Sequence, residues 1–264
     1  MNLSACRFGG YLQEFAGSVK GRKTNVLVLA AGYGVRLHPI TIDKPKPLIE
    51  VAGRPAMDWV LEAFDHIPNR GKVVAVTNSK FSALYHQWAE GKDVEVIENG
   101  SMCPEDKLGA IGDLALSLER SDLYGADLLV LGGDTLFTLP QKMFMKAAEG
   151  RDAVIGTYDV GCLEEVKRFA SVEVDSDGKL ASLIEKPENP TSTVAGSMVY
   201  YFSAETLPKI DEYLAEGNTP DPAGKFMQWL LERMPIYGVP LEGEYHDIGC
   251  HESLGRANDA FACV

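Results

Sequence analysis

The sequence predicts an α/β protein whose core is a mainly parallel β-sheet. Apolar runs of strand length, such as residues 26–31 and 127–131, alternate along the chain with stretches of helical spacing, such as residues 55–64. Continuous apolar runs are typical of strands buried on both faces of a sheet. Strands that alternate with helices at this rhythm indicate βαβ units, which join parallel strands. A chain of 264 residues can bury a full core, as one large domain or two small ones.

The elements follow one another in a regular order. The helix predicted at 55–64 begins with a proline, which is favoured in a first turn. Residues 170–174 and 180–185 are interpreted as a hairpin around an Asp-Gly turn, and the last two strands, 237–241 and 245–248, as a pair. The other predicted helices are 80–89, 204–215 and 224–234, and the other strands are 72–77, 94–97, 152–160 and 194–203. Because ligands bind beyond the carboxyl ends of parallel strands, function is expected in the loops that follow them.

The overall composition excludes several classes of protein. A formal net charge of −13 and the lack of a basic stripe argue against nucleic acid as a partner. No apolar run reaches the ~20 residues that a membrane helix needs. The five cysteines are scattered without a CxxC motif, so neither a disulfide framework nor a zinc site is predicted. A reducing, cytoplasmic setting fits this usage best.

The first 24 residues are expected to be an N-terminal extension. They contain no continuous apolar segment of the kind that a secretory signal needs. Two interpretations stay open: a short amphipathic piece around Tyr11, Leu12 and Phe15 that packs on the body or on a partner subunit, and a loosely held tail. Residues 25–264 are expected to form one domain with two halves, at about 25–140 and about 150–250.

A glycine-rich loop follows the first strand and carries the clearest functional signal. Gly32 and Gly34 leave room for a ligand, and three cations follow at Arg36, Lys44 and Lys46, interspersed with prolines that stiffen the segment. Such a loop is suited to phosphates. It matches neither the GxxxxGK[ST] template nor GxGxxG, because a leucine stands at the third glycine position.

Two acids occupy positions where a structural or a functional role is expected. Asp134 follows a buried strand and two glycines, where a carboxylate is costly unless it is used. It is either a helix cap or turn residue, or a ligand of Mg²⁺, which prefers carboxylate oxygens. Asp113 is interpreted as an acid in a helical first turn that the helix dipole favours.

The loop resembles the N-terminal motif of the sugar-1-phosphate nucleotidyltransferases. The string AAGYGVRLHPITIDKPKPLIEV is similar to their pattern, roughly LAAGxGTRLxPxTxxxPKPLxPV, and departs from it mildly at Val35 and Glu50. The resemblance continues along nearly the whole chain from about Asn25. It implies a Rossmann-like three-layer sandwich with a mixed, mainly parallel sheet.

The resemblance also implies a nucleotide site and a metal site. Backbone groups of Ala31, Gly32 and Gly34 would meet the nucleotide. Gly109, in LGAIGDL, would let the chain approach the base and ribose. LGGDTLF resembles the family's metal-binding segment, and HDIG its second metal acid, so Asp134 and Asp247 are expected to hold Mg²⁺.

The sugar site is implied by two further motifs. In Glu185-Lys186-Pro187 the acid would bind sugar hydroxyls and the lysine the sugar phosphate. Gly196 and Ser197 fall near the sugar, in a register that is ambiguous by one or two residues.

The implied reaction is nucleotidyl transfer, in which a sugar 1-phosphate attacks the α-phosphorus of an NTP in line and pyrophosphate leaves. The nucleophile is already an anion, so no general base is required. Arg36 would clamp phosphates, Lys46 would lie by the α-phosphate, and Lys186 would hold the attacking phosphate. Two alternatives stay open: a cytidylyltransferase for phosphocholine or another non-sugar phosphate, and a catalytically silent ligand-sensing subunit. The base, the sugar and assembly into a homo-oligomer stay undecided.

Overall fold

The computed structural model describes residues 22–262 of the chain. The predicted amphipathic piece around Tyr11, Leu12 and Phe15 lies outside these residues. The first strand begins at Thr24, one residue before the predicted start of the domain. None of the helices within 22–262 is long and apolar enough to cross a membrane.

Thirteen strands and eight α-helices are found in residues 22–262. The strands are β1 (Thr24–Leu29), β2 (Glu50–Val51), β3 (Arg54–Pro55), β4 (Arg70–Thr77), β5 (Glu95–Glu98), β6 (Asp127–Gly132), β7 (Thr135–Phe137), β8 (Ala153–Asp159), β9 (Ala170–Val174), β10 (Leu180–Glu185), β11 (Val194–Phe202), β12 (Tyr237–Pro240) and β13 (Tyr245–Asp247). The helices are α1 (Ala56–Ala63), α2 (Ser82–Ala89), α3 (Ala110–Arg120), α4 (Lys142–Ala148), α5 (Leu163–Val166), α6 (Pro208–Ala215), α7 (Ala223–Leu231) and α8 (His251–Phe261).

Nine of the strands form one mixed sheet with two differently built halves. In the first half β5, β4, β1 and β6 are neighbours in that order and all are parallel. In the second half β11 runs antiparallel to β6, β8 and β9, and β9 forms the predicted hairpin with β10. The predicted mixed sheet is confirmed.

The sheet is covered on both faces, because its strands alternate their apolar side chains between two cores. Val26 and Val28 of β1 belong to a core with α1, α2, α4 and α8, whereas Leu27 belongs to a core with α3, α6 and α7. The helices of the second core present apolar stripes, for example Leu114 and Leu118 of α3. Helices on both faces of a central sheet make the three-layer sandwich that was expected.

Two sequence-based expectations about the second half are wrong. The last two strands do not pair with each other: β12 lies parallel to β8, and β13 runs antiparallel to β7 in a separate two-stranded sheet. The helix predicted at 204–215 begins only at Pro208. Proline lacks a backbone N–H and fixes φ, so it fits the first turn of a helix but not its interior.

Candidate active site

The glycine loop follows β1, the strand from which successive strands are added first on one side of the sheet and later on the other. Strands β4 and β6 flank β1 on opposite sides, which leaves a crevice beyond the carboxyl ends of β1 and β6. Gly34 adopts φ of 62°, and a Cβ there would lie 3.1 Å from Thr41 Cγ2. The Thr41 hydroxyl donates to the Gly34 carbonyl over 2.8 Å. Both the conformation and the close contact therefore require glycine at this position.

A cleft of about 270 Å³ opens beside this loop. Five of the predicted site residues line it: Gly32, Gly34, Arg36, Lys46 and Asp134. A Cβ on Gly32 would meet no atom within 4 Å, so this part of the wall is open to a ligand. Ala31 is not among the lining residues; its carbonyl accepts a hydrogen bond from Asn78 Nδ2 over 3.0 Å.

The strand pair β7–β13 brings the two predicted metal acids together. In this ladder Asp247 faces Thr135, the residue that follows Asp134. The Lys46 ammonium forms ion pairs with Asp134 Oδ2 and, over 3.2 Å, with Asp247 Oδ1. One cation therefore contacts both carboxylates.

Two glycines make room for this cluster. A Cβ on Gly133 would lie 3.0 Å from Pro47 Cγ, so the turn that carries Lys46 packs directly on the strand end. A Cβ on Gly249 would lie 2.9 Å from Asp247 Oδ2. Larger residues at either position would displace the groups that meet at the cluster.

Burial and charge act in opposite directions on the cluster. Burial, reinforced by the charge of Asp134, raises the pKa of Asp247, whereas Lys46 and Arg36 act to lower it. Burial alone would lower the pKa of Lys46, but the two carboxylates outweigh it and the pKa lies above its ordinary value. The lysine therefore stays charged at neutral pH.

The donor set of the cluster suits one class of metal. Within residues 22–262 no group of three or more His, Cys, Asp or Glu side chains could enclose an ion. A site for zinc normally has three or four protein ligands. Mg²⁺ is usually held by one or two carboxylates and completed by substrate phosphates and water. Asp134 and Asp247 fit Mg²⁺ in this mode.

Arg36 is the second cation of the cleft. It lies in the short 3₁₀ turn Val35–Leu37 after the glycine loop. A Cβ on Gly249 would be 3.8 Å from an Arg36 nitrogen, which places the guanidinium beside the Asp247 segment. Arg36 makes no ion pair with any residue of the 22–262 region. Its donors are therefore available to an anion in the cleft.

Glycine is required at position 109 for a structural reason that the sequence did not reveal. It adopts φ of 81°, and a Cβ would lie 2.9 Å from the Pro220 carbonyl oxygen and from Asp221 Cβ. The loop before α3 is thus held against the 220–221 segment, with Ile111 N donating to the Pro220 carbonyl over 2.9 Å. Contact of Gly109 with a nucleotide stays a prediction.

Asp113 lies in the first turn of α3, as the sequence predicts, but its environment is not that of a surface acid. It is buried, and its Oδ1 accepts a 2.7 Å hydrogen bond from Asn99 Nδ2. Burial raises its pKa to about 6. A signal was present in the sequence, because Asp113 and Ser117 border the apolar stripe of α3 at a spacing of four residues.

Two of the predicted sugar-side residues share one face of the sheet. In the ladder Ala170 pairs with Glu185 on one side and with Gly196 on the other, so these residues stand in one row across β10, β9 and β11. A Cβ on Gly196 would lie 2.7 Å from Ile155 Cδ1, which explains the glycine.

Glu185 and Lys186 differ sharply in exposure. The side chain of Glu185 is 9% exposed, and burial raises its pKa. The side chain of Lys186 is 59% exposed, with its ammonium 3.8 Å from the Glu185 carboxylate. Gly224 at the start of α7 leaves the space that the Glu185 carboxylate occupies.

Ser197 does not share the face of Glu185 and Gly196. Its hydroxyl is buried and donates to the Gly156 carbonyl over 2.9 Å. Successive residues of a strand point to opposite faces, and the register of β11 against β8 shifts after Gly196. The structure therefore places Gly196, and not Ser197, on the face of Glu185.

The sequence did not indicate one aromatic contact that lies near Asp134 and Asp247. The rings of Tyr158 and Tyr245 stack with centroids 3.9 Å apart, and Tyr245 stands two residues before Asp247. The contact joins β8 to β13, two strands of different sheets. No periodicity within either strand could have indicated it.

The fold and this cleft define an α/β protein with a cleft at the switch point of its sheet that is lined by glycines and two cations. A family model described as nucleotidyl transferase matches residues 25–262. The chain belongs to the nucleotidyl transferase family.

Several curated proteins are similar over most of the chain. The catalytic subunit beta of mannose-1-phosphate guanylyltransferase from Drosophila pseudoobscura pseudoobscura is 29% identical over 87% of this chain and 60% of its own length. UTP–glucose-1-phosphate uridylyltransferase from Synechocystis is 27% identical over 84% of this chain and 59% of its own. The bifunctional protein GlmU from Methanocaldococcus jannaschii is 24% identical over 89% and 53%. The chain thus spans little more than half the length of these relatives.

Two solved structures have the same fold. A Bacillus anthracis protein designated a glucose-1-phosphate thymidylyltransferase superposes with a TM-score of 0.76 at 22% identity, over 91% of this chain and 96% of that one. A UDP-glucose pyrophosphorylase complexed with UDP-glucose superposes with a TM-score of 0.74 at 18% identity, over 90% and 98%.

Proposed function

We propose that this chain transfers a nucleotidyl group from an NTP to a sugar 1-phosphate and releases pyrophosphate. One observation carries the proposal: Lys46, Asp134 and Asp247 meet at the edge of a cleft that the glycine loop and Arg36 also line. The relatives named for guanylyl and uridylyl transfer to sugar 1-phosphates support this choice of reaction.

The NTP occupies the cleft beside the glycine loop in this proposal. Backbone N–H groups at Ala31, Gly32 and Gly34 face the phosphates, and the planar fork of Arg36 binds phosphate oxygens in pairs. Lys46 neutralises charge near the α-phosphate. Gly109 belongs to the loop that lies along the base and ribose.

The acids Asp134 and Asp247 hold Mg²⁺ in this proposal. When bound, Mg²⁺ neutralises negative charge on the phosphate oxygens, which is the main demand of phosphoryl chemistry. The two carboxylates already lie within reach of one cation, the Lys46 ammonium, so the protein needs little rearrangement to orient them toward another.

The acceptor lies on the sugar side of the sheet. Glu185 accepts hydrogen bonds from sugar hydroxyls, Lys186 holds the attacking phosphate, and the backbone of Gly196 lies in the same row of the sheet as Glu185. Ser197 contributes indirectly to the acceptor site. Its hydroxyl is bound to the Gly156 carbonyl, so it anchors β11 to β8 and does not contact the sugar. The acceptor phosphate is an anion at neutral pH, so alignment and charge neutralisation replace a general base.

The proposal includes one catalytic domain over 25–264, with its nucleotide half at 25–140 and sugar half at 150–250. It also includes a cytoplasmic setting without nucleic acid or membrane as a partner. The scattered cysteines favour such a reducing environment.

A pyrophosphate-release assay tests the proposal. The purified chain is given each of the common NTPs with a panel of sugar 1-phosphates, and with phosphocholine as a non-sugar phosphate. We expect Mg²⁺-dependent release with at least one sugar 1-phosphate. Release with phosphocholine alone would favour a cytidylyltransferase, and no release with any pair would favour a silent ligand-binding subunit.

A further inference from the structure

A buried chain of hydrogen bonds links the glycine loop to helix α3. The Tyr33 hydroxyl donates to Ser101 Oγ over 3.1 Å, and Ser101 Oγ donates to Asn99 Oδ1 over 2.8 Å. Asn99 Oδ1 also accepts from the Ser101 backbone N–H over 2.9 Å. Asn99 Nδ2 then donates to Asp113 Oδ1 over 2.7 Å. All four side chains belong to buried residues.

The series of hydrogen bonds ends at Asp113, a carboxylate that is costly to bury. Burial raises the pKa of Asp113 to about 6, the bond from Asn99 opposes this rise, and the charge of Asp221 adds to it. Asp113 is therefore ionised at pH 8 in a site that disfavours its charge. A neutral side chain would avoid this cost, so the acid requires a reason beyond packing.

Tyr33 stands at the point where this chain of bonds reaches the cleft. It lies between Gly32 and Gly34, both of which line the cleft and have no side chain to anchor them. The segment at the other end is itself fixed, since Asn99 N donates to the Thr77 carbonyl over 2.8 Å. The position of the glycine loop is thus tied to strand β4 and to α3 through Tyr33.

We propose that Asp113, acting through Asn99 and Ser101, positions Tyr33 and with it the glycine loop for the phosphates of the nucleotide. The loop after β1 and the loop before α3 then move as one unit. This inference rests on the proposed function and adds positioning residues to its nucleotide site. None of the four needs to touch the reacting atoms.

The hydrogen bond between Asn99 and Asp113 can be tested by exchanging the two residue types. Asn99→Asp places two carboxylates face to face and removes the donor to Asp113. The double variant Asn99→Asp/Asp113→Asn restores every bond, because the new carboxylate still accepts from Ser101 and the new amide at 113 donates back to it. Total charge is the same in the double variant and the wild type.

Pyrophosphate is the decisive probe, because it has phosphates but neither base nor sugar. We expect Asn99→Asp to weaken the binding of pyrophosphate and of NTP about tenfold, as measured by calorimetry at pH 8. The KM for the sugar 1-phosphate should stay unchanged. The double variant should return both affinities to within about threefold of the wild type.

Tyr33→Phe provides a second test that does not depend on the fold of Asn99→Asp. It removes only the hydroxyl at the other end, and we expect pyrophosphate affinity to fall about threefold with a melting temperature lowered by no more than about 4 °C, because one buried hydrogen bond is lost. Unchanged pyrophosphate affinity in both single variants would overturn the inference. Equal losses for all substrates, in step with a lower melting temperature, would also overturn it by showing a merely structural role. Failure of the wild type to bind NTP or pyrophosphate would instead refute the proposed function itself.

Discussion

The cleft beside the glycine loop and the strands β9, β10 and β11 contain similar residue types, but their charged side chains are packed differently. At the edge of the cleft, Asp134, from the turn between β6 and β7, and Asp247 of β13 meet on the ammonium of Lys46, which is partly buried between them. At the end of β10, Lys186 is largely exposed, and its ammonium stands 3.8 Å from the Glu185 carboxylate. One lysine is therefore held between two acids, whereas most of the other is in contact with solvent.

The difference follows from the two kinds of strand pairing. In the parallel half, the loops after β1 and β6 must meet at the same edge of the sheet, so the order of the strands alone forms the cleft. In the antiparallel half, neighbouring strands end at opposite edges, and the placement of side chains depends on register. Substitution of Lys46, which is held between two acids, should therefore affect stability more than substitution of the exposed Lys186.

The largest effect is expected from the two acids of the cleft. Asp134→Asn or Asp247→Asn removes a charge from the pair that fits Mg²⁺ while its shape is kept. We expect turnover to fall by about 1,000-fold or more, since electrostatic stabilisation is the main contribution to phosphoryl transfer. Nucleotide-sugar formation measures this, with circular dichroism to check the fold. The exposed Asp93→Asn serves as the control, and turnover within tenfold of the wild type would exclude the acid concerned.

The next effect separates the two lysines by stability. Lys46→Met leaves two partly buried carboxylates without a counter-charge, which we expect to cost about 3 kcal/mol in the free energy of unfolding. Lys186→Met, the matched variant on the sugar side, should cost less than about 0.5 kcal/mol, because exposed ion pairs contribute little.

Urea unfolding with and without Mg²⁺ provides the measurement. The divalent ion should recover most of the loss in Lys46→Met and change Lys186→Met no more than the wild type. Equal destabilisation of both variants would contradict the contrast between a lysine held between two acids and one in contact with solvent.

Kinetics should show a split between Lys186 and Arg36. Lys186→Ala loses a charge-assisted contact to the attacking phosphate, so we expect kcat/KM for the sugar 1-phosphate to fall by about 10- to 100-fold while the KM for NTP is kept. Arg36→Ala should show the opposite pattern. Steady-state rates with one substrate varied at a time distinguish them, and a Lys186→Ala effect confined to NTP would refute its role.

The smallest effect is expected at Val35, where the chain departs from the family pattern. Its side chain is 53% exposed and lies in the short turn after the glycine loop. If the loop acts through backbone N–H groups, Val35→Thr should change kcat and both KM values less than about twofold. A larger change would mean that the side chain itself contacts a substrate.

The sequence was sufficient for the cleft because each of its parts is a local pattern. A strand, its glycines and its cations are adjacent in the chain, and parallel topology places the later motifs beside them. The strand pairing of β13 could not be predicted, because the pattern of a short strand does not name its partner. It is this pairing that places Asp247 by Asp134.

The buried acid at 113 and the register of Ser197 show two different limits. Asp113 stands at the border of an apolar stripe, where a shift of a fraction of a helical turn separates burial from exposure. Ser197 lies in the stretch of β11, between Gly196 and Tyr200, where the register against β8 shifts, and this shift changes which residues of β8 its side chain meets. Both depend on tertiary packing that no local pattern specifies.

The pairing of β7 with β13 also determines when, during synthesis, the two carboxylates can come together. A chain leaves the ribosome from its N-terminus, so β1, the glycine loop and Lys46 emerge long before Tyr245–Asp247 does. Until those three residues dock on β7, Asp134 has no acidic partner across the ladder. The pair of carboxylates on Lys46 is therefore incomplete in every nascent chain that ends before residue 247.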